Sequence, residues 1–103
     1  KIVDLSGNIF PDIRLHHIQN RVKIVNISKN PNIRNLNDFI NQYNHAYENI
    51  EELDISYLRN LSDISALREF RSLKKLYIDA NSKESFKDEL DLLLIMGVEV
   101  LSY

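Results

Sequence analysis

The residues to weigh first for chemistry are the histidines and serines. His16 and His17 are adjacent and His45 lies far along the chain, a spacing with no specificity for a metal ion. Ser6, Ser28 and Ser56 recur at matching places but have no histidine in their own rows. A nucleophilic serine needs a base and an orienting acid beside it, so these serines read as short solvated side chains. The chain has no cysteine, which removes a zinc ribbon, a disulfide framework and a thiol nucleophile together. Gly7 and Gly97 are its two glycines, so there is no glycine-rich loop to cradle a phosphate. Arg68, Arg71, Lys74 and Lys75 form a basic cluster interrupted by Glu69 and read as a mixed-charge solvated surface. The expectation is no enzyme, no metal and no cofactor.

Bulk properties narrow the class of molecule. With 13 basic and 15 acidic residues the net charge is -2, so the field that draws a protein onto nucleic acid is absent. At 103 residues, 44% hydrophobic and 27% charged, the chain has the make-up of one folded domain. Its longest apolar run, Leu92 to Met96, is far too short to span a bilayer. Lys1 to Phe10 does not read as a signal peptide, and an intracellular, cytoplasmic location is expected. The triplets Asn26-Ile27-Ser28 and Asn60-Leu61-Ser62 have the form of glycosylation acceptors and are expected to be accidental.

The elements that must position these residues come from a repeat. Val22-Lys23-Ile24-Val25-Asn26-Ile27-Ser28-Lys29-Asn30 aligns with Ile50-Glu51-Glu52-Leu53-Asp54-Ile55-Ser56-Tyr57-Leu58 and with Leu73-Lys74-Lys75-Leu76-Tyr77-Ile78-Asp79-Ala80-Asn81. All three carry aliphatic residues at the L positions of L-x-x-L-x-L. A fourth copy opens the chain at Val3-Asp4-Leu5-Ser6-Gly7-Asn8, and a fifth closes it around Val98-Glu99-Val100. Taking Val3, Val25, Leu53, Leu76 and Val98 as equivalent, the steps are 22, 28, 23 and 22 residues. Alternation with period two predicts strands near 2–5, 24–27, 52–55, 75–78 and 98–101.

Between the strands, apolar residues step by three and four: Ile33, Leu36, Phe39, Ile40, Tyr43 and Tyr47, then Ile64, Leu67 and Phe70, then Phe86, Leu90, Leu93 and Leu94. That spacing predicts helical returns. Ser62 and Ser82 stand where N-caps would, and Pro11 fits an early helical position. A unit of strand, turn and return cannot cover its own apolar face, so the units must stack and the strands pair in parallel. Asn8, Asn30 and Asn81 fall where each chain leaves its strand, where a buried Asn can satisfy backbone groups that the turn exposes. Leu58 occupies that place in the third unit, with Asn60 as a substitute.

On these motifs, which cover nearly the whole chain from Lys1 to Leu101, the sequence resembles the leucine-rich-repeat family. The resemblance implies an α/β solenoid of about five units in a single domain, 1–103. A short parallel β-sheet would line the concave side and helical returns the convex side. Neither end has an obvious polar cap, so the chain is expected to be part of a longer array, or to have its ends covered by a partner or by self-association. The resemblance also implies a protein-interaction scaffold whose concave face presents Asp4, Asn26, Ser28, Asp54, Ser56, Tyr57, Lys75, Tyr77, Asp79 and Glu99. That row is acidic or polar and calls for a protein partner with a basic face. Tyr57 and Tyr77 are the expected contact anchors on adjacent units. A second reading is a doubly wound α/β regulatory domain that resembles anti-sigma-factor antagonists, suggested by Val3-Asp4-Leu5-Ser6-Gly7. Their paired phospho-acceptor before a Gly is absent here.

Overall fold

A computed structural model describes residues 2–4, 7, 23–37 and 46–102. Leu5, Ser6, Asn8, Pro11, His16, His17, Phe39, Ile40, Tyr43 and His45, on which several of the expectations above rest, lie outside the described residues.

The chain is an α/β domain built on one parallel sheet. Its strands are β1 (Ile2–Asp4), β2 (Ile24–Asn26), β3 (Glu52–Asp54), β4 (Lys75–Ile78) and β5 (Glu99–Ser102). They pair in sequence order, β1-β2-β3-β4-β5. The register joins Val3 to Val25, Val25 to Leu53, Leu53 to Leu76 and Leu76 to Val100. The first four expected equivalences therefore hold residue for residue.

The fifth is displaced by two positions, and the cause lies in the helix before it. Helix α1 (Ala80–Ser85) and helix α2 (Lys87–Ile95) follow β4. At the end of α2, Gly97 takes φ 94°. Its N–H donates to the Leu94 carbonyl at 3.0 Å, and the Val98 N–H donates to the Leu93 carbonyl at 3.0 Å. This crossed pair of bonds is a Schellman closure, and it needs a left-handed residue where Gly97 stands. Val98 is consumed by the helix end, so β5 begins one residue later, where the Glu99 N–H donates to the Lys74 carbonyl at 2.8 Å. A shift of two keeps every side chain on its face, and Val98 still points into the core.

The inward residues of the strands are sealed: Val25, Ile27, Leu53, Ile55, Leu76 and Ile78 are all at or below 1% exposure. Each stabilises the fold by about 1.5–3 kcal/mol through burial alone. Ile33, Leu36, Tyr47, Ile64, Leu67, Phe70, Leu90 and Leu93 cover them from the returns. The return at Ile64, Leu67 and Phe70 is a 3-10 helix, Ser65–Glu69, as a strict period of three favours. Tyr47 belongs to a second 3-10 helix, Ala46–Asn49, and its ring lies 5.7 Å from that of Phe70. Leu94, expected inside, is instead exposed. Ile33 sits in an irregular stretch where the bridge Asn35↔Asp63 links the second and third units.

Neither Ser62 nor Ser82 is a helix cap, and an aspartate accepts from the first turn in each case. Asp79 caps α1 and accepts from the Ser82 N–H, while Asp63 accepts from the Ser65 N–H at 2.8 Å. Asn81 lies exposed within α1 and makes no buried turn. The radius of gyration is 12.3 Å, close to the roughly 13 Å of a compact globule of this length. Five strands at about 4.8 Å spacing make a sheet only about 19 Å wide, so stacking at this length produces no elongated outline.

Candidate functional site

The carboxyl ends of the strands carry a repeated turn. In β2 and β3 the last residue is a side-chain acceptor: Asn26 Oδ1 receives the Ser28 N–H, and Asp54 Oδ1 receives the Ser56 N–H, both at 2.9 Å. The Ser56 hydroxyl also donates to Asp54 at 2.6 Å. These are Asx turns, the local structure that Asn and Asp favour because their side chains imitate a backbone carbonyl.

The residue after each serine is left-handed: Gly7 at φ 71°, Lys29 at 59° and Tyr57 at 56°. Gly adopts this backbone freely, whereas Lys and above all Tyr hold it at a cost of about 1–2 kcal/mol each. The turns are tied laterally. The Gly7 N–H donates to the Ser28 carbonyl at 2.9 Å and the Lys29 N–H to the Ser56 carbonyl at 3.1 Å.

At the fourth unit the chain turns into α1, and no carbonyl meets the next N–H. Asp79 Oδ1 takes its place and accepts from the Tyr57 N–H at 2.9 Å, while its other oxygen accepts from the Ser82 N–H and hydroxyl at 3.2 Å. Burial pushes the Asp79 carboxyl up, but these hydrogen bonds outweigh it and hold the group below its ordinary value.

Asn30 completes the turn of the second unit. It is fully buried and its amide donates to the carbonyls of Ile27 at 2.6 Å and Ser28 at 3.1 Å, the role expected of the periodic Asn. The Asn60 amide reaches back to the Pro31 carbonyl. Asn60 is exposed and its partner belongs to the second unit, so it does not take the place of the periodic Asn in the third unit, where Leu58 packs into the core.

Two surfaces result. The strand face holds a shallow hollow of about 220 Å³ lined by Asp4, Ile24, Asn26, Glu52, Asp54 and Tyr77. Its floor is the in-register row Asp4, Asn26, Asp54 and Tyr77. Beside it runs the row Ile24, Glu52, Lys75 and Glu99. Beyond the carboxyl ends lies a larger groove, about 910 Å³, lined among others by Lys29, Tyr57, Leu58, Arg59, Asp79 and Phe86.

The structure brings together five of the ten expected contact residues in the strand-face rows where they were expected: Asp4, Asn26, Asp54, Lys75 and Tyr77. Ser28, Ser56 and Asp79 are at 5%, 2% and 7% exposure, so they build the turns and lie outside the exposed strand-face rows. Tyr57 lies past the end of β3 and lines the edge groove, not the hollow of Tyr77. Glu99 stands opposite Lys75 rather than Tyr77, and Leu101 takes the expected place of Glu99. Both follow from the displaced start of β5.

Sequence reasoning missed Arg59 and the edge groove. One signal was available: Lys29 and Tyr57 align with Gly7, and a column opened by Gly points to left-handed backbone. Among the described residues no group of His, Asp and Glu is placed to hold a metal ion. No described helix is long and apolar enough to cross a membrane. No family model matches the chain, and no curated protein or solved structure matches it significantly.

Proposed function

We propose that the chain is a leucine-rich-repeat solenoid that binds a protein partner through its strand face and catalyses no reaction. The observation that carries this reading is the in-register row Asp4, Asn26, Asp54 and Tyr77, with Glu52 alongside, set on a sheet whose other face is sealed. The strand order supports it as well. A doubly wound domain reverses its strand order at the point where ligands bind, and the five described strands run without reversal. An intracellular setting rests on the absence of cysteine.

The partner that fits carries a basic side chain beside an apolar group. The hollow offers the carboxylates of Asp4, Glu52 and Asp54 to a cation, and Tyr77 and Ile24 to the apolar part. Self-association is a second mode of assembly. Leu94, Ile95 and Met96 are 53%, 82% and 56% exposed beside the outer strand β5, where a further strand and return would pack.

The test is binding of an isolated partner to Tyr77→Ala and Asp54→Asn chains by calorimetry. A central aromatic anchor contributes about 2 kcal/mol, so Tyr77→Ala should weaken binding about thirty-fold. Unchanged affinity in both variants removes the strand face from the interface.

A further inference from the structure

The geometry points to a second binding site, separate from the strand face: the groove beyond the carboxyl ends of β2, β3 and β4 recognises an acidic segment of polypeptide, held by Lys29 and Arg59 and covered by Tyr57. This goes beyond the strand-face reading and does not depend on it, since the two surfaces share no residue.

Charge is the first argument. Lys23 and Lys74 flank Glu51 at 3.5 and 3.2 Å, and Arg68 meets Glu89 at 2.8 Å. Among the described residues, Lys29 and Arg59 make no ion pair, and both line the groove. The acid in the groove is Asp79, whose two oxygens already receive the Tyr57 N–H and the Ser82 N–H and hydroxyl. Two cations with no ion pair among the described residues stand against one carboxylate already engaged by Tyr57 and Ser82, which gives the lining a positive balance.

Backbone conformation is the second, and it is independent. Tyr57 is a bulky residue at φ 56° and its side chain remains 50% exposed. Tyr57 lines the groove together with Lys29 and Arg59, and a half-exposed aromatic ring there offers a rigid contact surface to a segment lying in the groove.

Shape selects the class of ligand. The lining residues come from three successive units: Lys29 and Pro31 from the second, Tyr57 to Leu61 from the third, and Asp79 to Phe86 from the fourth. Neighbouring strands are about 4.8 Å apart, so the groove crosses about 10 Å, the reach of three extended residues. Leu61 and Phe86, both half-buried, give such a segment an apolar floor next to the cations. Asn81 and Ser85 supply polar groups on the far wall. A small inorganic anion would use the cations and leave the rest unused.

The experiment is to probe an array of random short peptides with the full chain and to compare three variants. The Lys29→Gln, Arg59→Gln double variant removes both charges, Tyr57→Gly removes the ring while relaxing the backbone, and Asp54→Asn alters the strand face. The array should return sequences enriched in Asp and Glu. For the best of them, measured by fluorescence anisotropy, each lost cation should weaken binding about five-fold and Tyr57→Gly about ten-fold. Asp54→Asn should have no effect. Amide resonances of Tyr57, Arg59 and Ser82 should shift on titration while those of Asn26 and Asp54 stay still. The proposal is overturned if the bound peptides show no acidic enrichment, if the double variant binds them as well as the parent chain, or if inorganic phosphate alone displaces them at equal concentration. Shifts confined to Asn26 and Asp54 would overturn it too and leave the strand-face reading standing.

Discussion

The Tyr57 N–H donates to Asp79 Oδ1, a residue 22 positions further along the chain, at 2.9 Å. In the two preceding units the same N–H reaches a backbone carbonyl, from Gly7 to Ser28 and from Lys29 to Ser56. One side chain thus ends the ladder of lateral turn bonds and starts a helix. Asp79→Ala should lose both functions. Loss of the cap costs about 1 kcal/mol and an unmet N–H about 1–3 more. Urea denaturation is expected to show a loss of about 2–4 kcal/mol, with Asp79→Asn much milder because its amide oxygen still accepts.

Acid should destabilise the fold in a defined window. Asp79 is held below its ordinary value because its hydrogen bonds outweigh burial. Asp63 is lowered chiefly by the Ser65 N–H, and Glu51 chiefly by its bond to Lys74. A carboxyl whose folded value is depressed binds its proton more readily in the unfolded chain. Its contribution is therefore complete above the ordinary carboxylate range, about pH 4, and is lost as pH falls below it. Urea midpoints measured against pH should be level near neutrality and drop below about pH 4. Asp79→Asn should flatten that drop more than Glu51→Gln does, since Glu51 lies at the surface where solvent screens it. Identical acid limbs in parent and Asp79→Asn chains would contradict this.

Left-handed backbone at Lys29 and at Gly97 predicts substitutions with opposite signs. Lys29 is exposed at φ 59°, so Lys29→Gly should raise stability by about 1 kcal/mol by removing the Cβ conflict. Gly97 is at φ 94° with open space where a Cβ would stand. Gly97→Ala should therefore lower stability by about 1–2 kcal/mol through backbone strain alone. Thermal melts of the two variants would show shifts in opposite directions.

Asn30 is the buried polar residue on which the second unit turns. Asn30→Ala removes the donor from the carbonyls of Ile27 and Ser28 and leaves a gap in a sealed site. A loss of about 2–4 kcal/mol is expected in urea denaturation. Asn81→Ala, at the aligned position in the fourth unit, should change stability by less than about 0.5 kcal/mol because Asn81 is exposed. Equal losses would contradict the difference between the two turns.

Much of this architecture was legible because it rests on local alternation. Val25 and Ile27, Leu53 and Ile55, Leu76 and Ile78 mark the buried face by period two, and the repeat placed four strands in correct register. The start of β5 was not legible because it depends on the hydrogen bonds that close α2 at Gly97, which compete with the strand for Val98. The outward-facing row was half legible. Alternation says which strand residues face outward, but it stops being a guide where the strand ends. There the turn geometry buries Ser28, Ser56 and Asp79 and carries Tyr57 away from Tyr77. Arg59 belongs to no periodic position, so its place on the groove depends on the turn that precedes it.

Site-specific photo-crosslinking asks whether a protein partner sits on the strand face. A benzophenone side chain is placed at position 77, and as a control at position 83, which is exposed on α1, and the crosslinked peptides are identified by mass spectrometry. Position 77 should capture one partner at a peptide bearing Lys or Arg, the capture should be lost when Asp54 and Glu52 are replaced by Asn and Gln, and position 83 should capture nothing in common with it. Capture from position 83 alone, or capture from position 77 that survives those replacements, would contradict a partner seated on the strand face.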